Sequence, residues 1–94
     1  MTPLTESYWP AQEDIPLIET TSGDALRAAA ASRPDHVALI EGHPDPARRR
    51  RWTYAELLRD AEATARALLA RFQPGEHVAV WGGNSPEWII VQYG

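Results

Sequence analysis

Cysteine and lysine are both absent from this sequence. Without cysteine the chain forms no disulfide and carries no thiolate nucleophile, which is compatible with a reducing compartment. Without lysine it offers no side-chain amine that could act as a base or form a Schiff base. All nine basic residues are therefore arginines. These absences exclude thiol and amine catalysis by this chain.

Long apolar runs and an excess of positive charge are also missing. The longest apolar run is too short to cross a bilayer. The first 16 residues contain three acidic residues and no basic one, unlike a signal peptide, which needs a positive start and an apolar centre. A net charge of −4 and a pI of about 5.2 argue against a nucleic-acid surface. We therefore expect a cytoplasmic protein without a transmembrane segment or nucleic-acid partner.

Length and composition predict one small folded unit preceded by an arm. A chain of 94 residues that is 44% hydrophobic has the composition of a globular domain with a marginal core. Residues 1–20 contain Pro3, Pro10 and Pro16, which are too densely spaced for a regular element, and are predicted to form an extended N-terminal arm. We expect the aromatic pair Tyr8 and Trp9 to pack onto its own domain, with partner docking as the alternative.

Capping and periodicity signals define the first part of residues 21–94. Thr21 marks the start of a helix that ends before Pro34. Two short strands, residues 36–41 and 49–52, predict a hairpin with a long loop. Thr53 and Glu56 then form a capping box, which begins a long amphipathic helix reaching about Phe72. Its apolar stripe consists of Leu57, Leu58, Ala61, Ala65, Leu68, Leu69 and Phe72.

The second part alternates strand and helix. Residues 77–81 are almost continuously apolar, which is typical of a buried parallel strand covered on both faces. Ser85 is a candidate N-cap, with Pro86 at the first position of a further helix. The predicted fold class is α/β: helix, short β-hairpin, long amphipathic helix, buried parallel strand and the start of a further helix, connected by a right-handed crossover.

Two segments invite an anion-binding interpretation. The turn at Gly82 and Gly83 precedes a helix N-terminus, where backbone amides attract anions. It lacks the spaced glycines of a dinucleotide fingerprint and the lysine of a P-loop, so we expect the glycines simply to make the turn, with phosphate binding as the alternative. The arginine run at residues 48–51 is expected to face water on an edge strand, where like charges discourage edge pairing.

No other residue pattern forms a catalytic or metal site. His36, His43 and His77 do not have metal-ligand spacing. Ser85 is not part of a Gly-x-Ser-x-Gly elbow and is expected to serve as a cap. The sequence therefore assigns no catalytic, cofactor-binding or metal-binding residue.

Three motifs, taken in order, are similar to motifs of one enzyme family. Residues 51–57 (RWTYAEL) are similar to the family motif Leu-Thr/Ser-Tyr-x-Glu-Leu, with Trp52 in place of leucine. Residues 74–80 (PGEHVAV) resemble a Gly-Asp-x-Val-Ala strand entry, with Glu76 in place of aspartate. Residues 84–88 (NSPEW) resemble an Asn-x-Pro-Glu-Trp turn. Together these motifs resemble the N-terminal stretch of the adenylate-forming (AMP-binding) enzyme superfamily, and most closely its fatty acyl-CoA synthetase branch. The resemblance runs from about Gly23 to Gly94.

The resemblance implies that residues 21–94 are the incomplete N-terminal portion of a ligase domain. The whole enzyme would activate a fatty or other carboxylic acid as an acyl-adenylate with ATP and Mg²⁺ and then transfer the acyl group to CoA. The family's phosphate loop and catalytic groups match no position here. The resemblance therefore implies that the fragment is inactive and binds none of these cofactors. We also expect it to self-associate through exposed apolar surface at residues 88–91.

Two alternatives remain open at the level of sequence. In the first alternative, the chain is a free-standing, non-catalytic α/β interaction module that docks through Tyr8 and Trp9 or through a sheet edge. In the second, it is a small nucleotide-binding domain that uses the turn at Gly82 and Gly83.

Overall fold

A computed structural model describes residues 2–94 as three helices and a small antiparallel sheet. In chain order the elements are α1 (Ser22–Ser32), β1 (Val37–Ile40), a 3₁₀ turn (Pro46–Arg48), β2 (Arg51–Thr53), α2 (Tyr54–Leu69) and α3 (Pro86–Tyr93). No helix within residues 2–94 is both long and apolar enough to span a membrane. The mixed helix and sheet content agrees with an α/β fragment.

The helix starts are those that the capping signals predict. The Thr21 side chain accepts a hydrogen bond from the Asp24 amide, and the Ser85 side chain accepts one from the Trp88 amide. At α2 the capping box is complete. Glu56 N donates to Thr53 Oγ1 over 3.2 Å, and Thr53 N donates to Glu56 Oε2 over 2.8 Å. These bonds satisfy amides that the helix itself leaves without partners, so they fix its first residue.

The hairpin is also confirmed. β1 and β2 pair antiparallel, with Leu39 opposite Trp52 and Ile40 opposite Arg51, and with an irregularity between Val37 and Leu39. The ladder continues into the next element, because Tyr54 N donates to the His36 carbonyl over 3.0 Å. The hairpin therefore leads directly into α2 and sets its direction.

A small core lies where α1, α2 and the hairpin meet. Its buried cluster consists of Leu26, Leu57 and Ala61, and partly buried side chains pack around it: Ala38, Leu39, Trp52, Tyr54, Leu58 and Ile90. Trp52 and Leu57, which flank the α2 capping box at the two positions of a hydrophobic staple, both belong to this assembly. The C-terminal part of the predicted stripe does not, because Leu69 remains 64% exposed. α2 ends at Leu69, and residues 70–72 form a turn.

The third helix packs closely on α2 at its C-terminal end. A Cβ atom added to Gly94 would lie 2.9 Å from Thr64 Cβ and 3.0 Å from the Ala61 carbonyl oxygen. Contacts that short do not occur for real Cβ atoms, so the glycine permits this approach. The Gly94 amide donates to the Ile90 carbonyl over 3.0 Å.

The structure corrects the prediction for residues 77–81. No strand forms there within residues 2–94; Val78 and Val80 are about half exposed, and Trp81 is fully exposed. A parallel strand needs a hydrogen-bonded neighbour and helices on both faces, and the described sheet consists of β1 and β2 alone. The right-handed crossover is likewise not formed. An apolar sequence can be compatible with a buried strand without supplying the residues that bury it.

The arm and the predicted apolar surface also differ from expectation. Tyr8 is 78% exposed and Trp9 is 84% exposed, so this aromatic pair does not pack onto its own domain. Of residues 88–91, Trp88 is exposed as expected, whereas residues 89–91 are half-buried because Ile90 contacts the core cluster. The larger exposed apolar surface therefore lies upstream of α3, at Val78, Val80 and Trp81.

Candidate functional site

A cavity lies between the hairpin loop and the start of α3. Its volume is about 570 Å³. One wall comes from the end of β1 and the following loop, and the other comes from residues 84–89, which include the NSPEW motif. Arg50, just before β2, lies between the two walls. The fold thus brings the arginine run and the NSPEW motif together, although they are far apart in sequence.

Arg50 joins the two walls through a pair of carboxylates. Its Nε atom lies 3.0 Å and its Nη2 atom 2.5 Å from Glu41 Oε2. Its Nη1 atom lies 2.7 Å from Glu87 Oε1. The guanidinium also sits 5.3 Å from the centre of the Trp52 ring, a cation–π distance. The planar donor fork of arginine suits such a bridge, whereas lysine would offer a single point charge.

The bridge changes the acidity of all three groups. Hydrogen bonding to the Arg50 guanidinium holds the pKa of the Glu41 carboxyl below its ordinary value, and the same interaction lowers the pKa of Glu87. In turn, hydrogen bonds to Glu41 and Glu87 raise the pKa of Arg50. At neutral pH one cation therefore faces two anions.

This geometry assigns Arg50 a linking role. Its positive charge is already matched by two carboxylates, so little attraction remains for a phosphate. The other residues of the arginine run, Arg48, Arg49 and Arg51, are exposed, in agreement with the prediction that the run faces water. Arg49 Nε donates to the His43 carbonyl over 2.7 Å, which anchors the hairpin loop.

The glycine turn does not show the conformation expected of it. Gly75 alone among residues 2–94 has a positive φ, at 91°, and a Cβ atom at Gly82 or Gly83 would meet nothing within 4 Å. Neither glycine therefore adopts a conformation that requires glycine, and the tight turn predicted at Gly82 and Gly83 does not form at these two residues. They border a second, shallower cavity of about 310 Å³, which Val80, Trp88 and Val91 make mostly apolar.

The start of α3 is a poor anion site. The Ser85 hydroxyl oxygen occupies the Trp88 amide at 3.3 Å, and Pro86 contributes no amide hydrogen. The Glu87 carboxylate adds a negative charge in the first turn. An incoming phosphate would meet this carboxylate, so the geometry does not favour the nucleotide-binding alternative.

The histidines are not assembled into a site. Within residues 2–94 no group of three histidine, cysteine, aspartate or glutamate residues could hold a metal ion. His43 Nδ1 instead lies 3.0 Å from the Asp45 amide, inside the hairpin loop. Sequence reasoning missed Arg50, Glu41 and Glu87 as a linked group, because their pairing depends on the approach of α3 to the hairpin.

Comparison with known proteins gives a consistent family relationship. A family described as "AMP-binding enzyme" matches residues 26–94. The mouse medium-chain acyl-CoA ligase ACSF2, a mitochondrial protein, is 32% identical over 87 residues, which cover 92% of this chain. The putative acyl-CoA synthetase YngI of Bacillus subtilis is 37% identical over 78 residues, or 82% of this chain.

A much longer protein contains a similar stretch. A nonribosomal peptide synthetase of Aspergillus fumigatus is 33% identical over 84 residues, which are 88% of this chain and 1% of that protein. The chain spans 14% of the length of the mouse and Bacillus relatives. No solved structure matches it significantly.

Proposed function

Because the chain belongs to the AMP-binding enzyme family, we propose that it is the N-terminal portion of an ATP-dependent acyl-CoA synthetase that acts in fatty acid metabolism. The observation that carries the proposal is the match over residues 26–94, which includes the NSPEW segment that α3 and Arg50 hold in place. Relatives named as acyl-CoA ligases or synthetases support the choice of branch. We further propose that the enzyme is cytoplasmic.

The reaction of the whole enzyme has two steps. The carboxylate of a fatty acid attacks the α-phosphorus of ATP, which forms an acyl-adenylate and releases pyrophosphate. The thiol sulfur of CoA then attacks the acyl carbon, loses its proton and displaces AMP. Magnesium would neutralise phosphate charge, but the residues described here do not fit a magnesium site. No step of the reaction is therefore assigned to them.

The proposed contribution of this chain is scaffolding. In the whole enzyme, residues 77–81 form a strand of a parallel sheet, and residues supplied by the rest of the enzyme pair with it and cover Trp81. The ion pair between Arg50 and Glu87 holds the first turn of α3 near the hairpin and so fixes where the strand segment before α3 ends. The isolated chain has no lysine and no glycine-rich phosphate loop, so it is inactive alone.

A segment exchange tests this role. The matched 87 residues of the mouse ligase are replaced by the corresponding residues of this chain, and acid-dependent ATP–pyrophosphate exchange is measured. We expect the chimera to keep exchange activity and the acid preference of the mouse enzyme, since the catalytic groups lie elsewhere. The purified 94-residue chain should show no exchange.

The controls distinguish a chimera that is inactive because it is unfolded from one that is inactive because the scaffolding proposal is wrong. A second chimera carries Trp88→Ala, which removes a side chain that lines both cavities beside the NSPEW segment, and each chimera is checked for cooperative unfolding. A chimera that folds but has lost exchange, or an isolated chain that catalyses exchange, would overturn the proposal.

A further inference from the structure

Two polar contacts distinguish Trp52 from an ordinary core side chain. Its indole Nε1 donates a hydrogen bond to Asp60 Oδ2 over 2.9 Å, and the centre of its ring lies 5.3 Å from Arg50 Cζ. The family motif that residues 51–57 resemble has leucine at this position. Leucine offers neither a hydrogen-bond donor nor an aromatic face, so both contacts depend on the tryptophan of this chain.

The hairpin places Arg50 and Trp52 side by side. Arg50 immediately precedes β2, and side chains two positions apart on an extended strand lie on the same face. Glu41 lies across the ladder from Arg50, because the Glu41 amide donates to the Arg50 carbonyl over 2.9 Å. Arg50 therefore has an aromatic neighbour along its own strand and a carboxylate neighbour on the opposite strand.

Asp60 holds the indole from the side of α2. It lies in the second turn of that helix, and its side chain is only 33% exposed. A hydrogen bond to a carboxylate is stronger than one between neutral groups. The indole ring also packs against the core cluster, so it can turn only by breaking the bond to Asp60. Asp60 therefore fixes the plane of the ring.

Arg50 needs this support because its own ion pairs lie near water. Its side chain is 51% exposed, and exposed ion pairs are opposed by the entropy of holding long side chains in one geometry. A ring face that already holds the guanidinium lowers that cost. The donor fork of Arg50 is then in place to meet Glu87.

We propose that Trp52 is a positioning residue that couples α2 to the start of α3. Asp60 sets the plane of the indole, and the face of the indole holds the Arg50 guanidinium. The guanidinium in turn holds the Glu87 carboxylate in the first turn of α3. Four side chains thus link α2, the hairpin and α3 in series. The inference rests on contacts within the folded chain and does not depend on the proposed ligase activity.

The titration midpoint of Glu87 reports whether Arg50 is in place. A hydrogen bond from the Arg50 guanidinium is the main cause of the lowered pKa of Glu87, and the Ser85 hydroxyl makes a smaller contribution. Glu41 faces the same guanidinium, and His43 lines the same cavity. Arg50→Met, which removes the guanidinium, gives the reference for an unsupported Glu87. Nuclear magnetic resonance measures the midpoints.

Four variants separate the ring face from the indole donor. Trp52→Leu removes both contacts, and we expect the Glu87 midpoint to rise most of the way to its value in Arg50→Met, although Arg50 is still present. Trp52→Phe keeps a ring face, and Asp60→Leu removes only the acceptor, so each should raise the midpoint by a smaller amount. Asp60→Asn keeps an acceptor oxygen and should titrate like the wild type.

The indole proton gives a second, direct readout. In the wild type the Trp52 Nε1 hydrogen should exchange slowly with solvent, because it is hydrogen-bonded and half-buried. Exchange should be faster in Asp60→Leu and close to the wild-type rate in Asp60→Asn. Fast exchange in the wild type would overturn the proposal.

A control and a double variant separate positioning from packing. Leu58→Ala truncates another side chain that packs against the core cluster. It should lower the free energy of unfolding and leave the Glu87 midpoint unchanged. In the Arg50→Met background, Asp60→Leu should not move the midpoint further, because its effect acts through Arg50.

Urea unfolding followed by circular dichroism shows which variants are folded. Asp60 is at the helix surface, so Asp60→Leu keeps the test possible if Trp52→Leu does not fold. An unchanged Glu87 midpoint in folded Asp60→Leu and Trp52→Phe would overturn the proposal. An equal shift in Leu58→Ala, or a further shift in the double variant, would overturn it as well.

Discussion

Arg50 links two elements although it is half-exposed. Its side chain is 51% exposed, and the partner side chains of Glu41 and Glu87 are 22% and 58% exposed. Exposed ion pairs contribute little to stability because water screens them and side-chain entropy opposes them. The bridge therefore links the first turn of α3 to the hairpin without adding much to stability.

Replacing Arg50 by methionine should raise the pKa of both glutamates. Methionine keeps much of the apolar contact with Trp52 but removes the guanidinium, whose hydrogen bonds hold the pKa values of Glu41 and Glu87 down. A carboxyl with a lowered folded-state pKa stabilises the fold above its ordinary pKa of about 4.3. That stability is lost as the pH falls through the folded-state value.

The measurement is a side-chain carboxyl titration by nuclear magnetic resonance. In Arg50→Met we expect the titration midpoints of Glu41 and Glu87 to move up, and the unfolding free energy to lose part of its dependence on pH in the acid range. Arg71→Met, which removes an exposed arginine in the turn after α2, is the control. Unchanged midpoints in Arg50→Met would contradict the bridge.

Local residue pairs are predictable from sequence, and distant ones are not. Thr53 and Glu56 lie three positions apart, so their capping box follows from helix geometry alone. The Trp52 indole donates to Asp60 Oδ2 over 2.9 Å, and Arg50 reaches Glu87 in another element. No spacing rule indicates these contacts, because they depend on how the elements pack.

At the scale of the element, α2 shows what a hydrophobic stripe does and does not determine. The stripe predicts the inward face correctly, since Leu57 and Ala61 on it are buried. It does not predict how far along the helix that face is covered. Coverage comes from α1, the hairpin and α3, and these reach only the N-terminal and middle turns. Leu69 therefore remains in water.

Alanine substitutions at Leu57 and Leu69, which lie on the same face of α2, should lower the unfolding free energy by very different amounts. Leu57 is 5% exposed and Leu69 is 64% exposed. Leu57→Ala leaves a cavity and should cost about 2–4 kcal/mol of unfolding free energy, enough to abolish cooperative unfolding in a marginal domain. Leu69→Ala should change it by less than about 0.5 kcal/mol.

Urea titrations followed by circular dichroism provide the comparison. Both variants lose the same side-chain atoms from the same helix, so the changes in helix propensity and side-chain size are similar. A difference in unfolding free energy therefore reports how well each leucine is buried. Equal losses of stability would mean that the C-terminal half of α2 is covered in solution.

At the scale of the molecule, the chain is more extended than its length requires. The radius of gyration is 18.9 Å, against about 12 Å for a compact domain of this size. The exposed arm and the exposed segment 71–83 account for the difference. Sequence reasoning anticipated the arm from its prolines. It could not anticipate the open segment, because strand formation at Val78 and Val80 requires a neighbouring strand outside the local sequence.

Amide hydrogen exchange should distinguish the open segment at residues 77–81 from the middle of α2. The amides of residues 77–81 make no backbone hydrogen bond among the described residues and should exchange at rates close to those of an unfolded peptide. The amides in the middle of α2 should be protected. In the chimera with the mouse ligase, the same five residues should become protected, since strand pairing would occupy their amides. Protection in the isolated chain would contradict the open conformation.

The close approach of Gly94 to α2 has a mechanical consequence for the other end of α3. An eight-residue helix is a stiff rod about 12 Å long, seated at one end against Thr64 and tied at the other by Glu87 to Arg50. Displacement of either end rotates the whole rod. A side chain introduced at Gly94 would therefore push α3 away from Thr64 and shift Glu87 relative to Arg50.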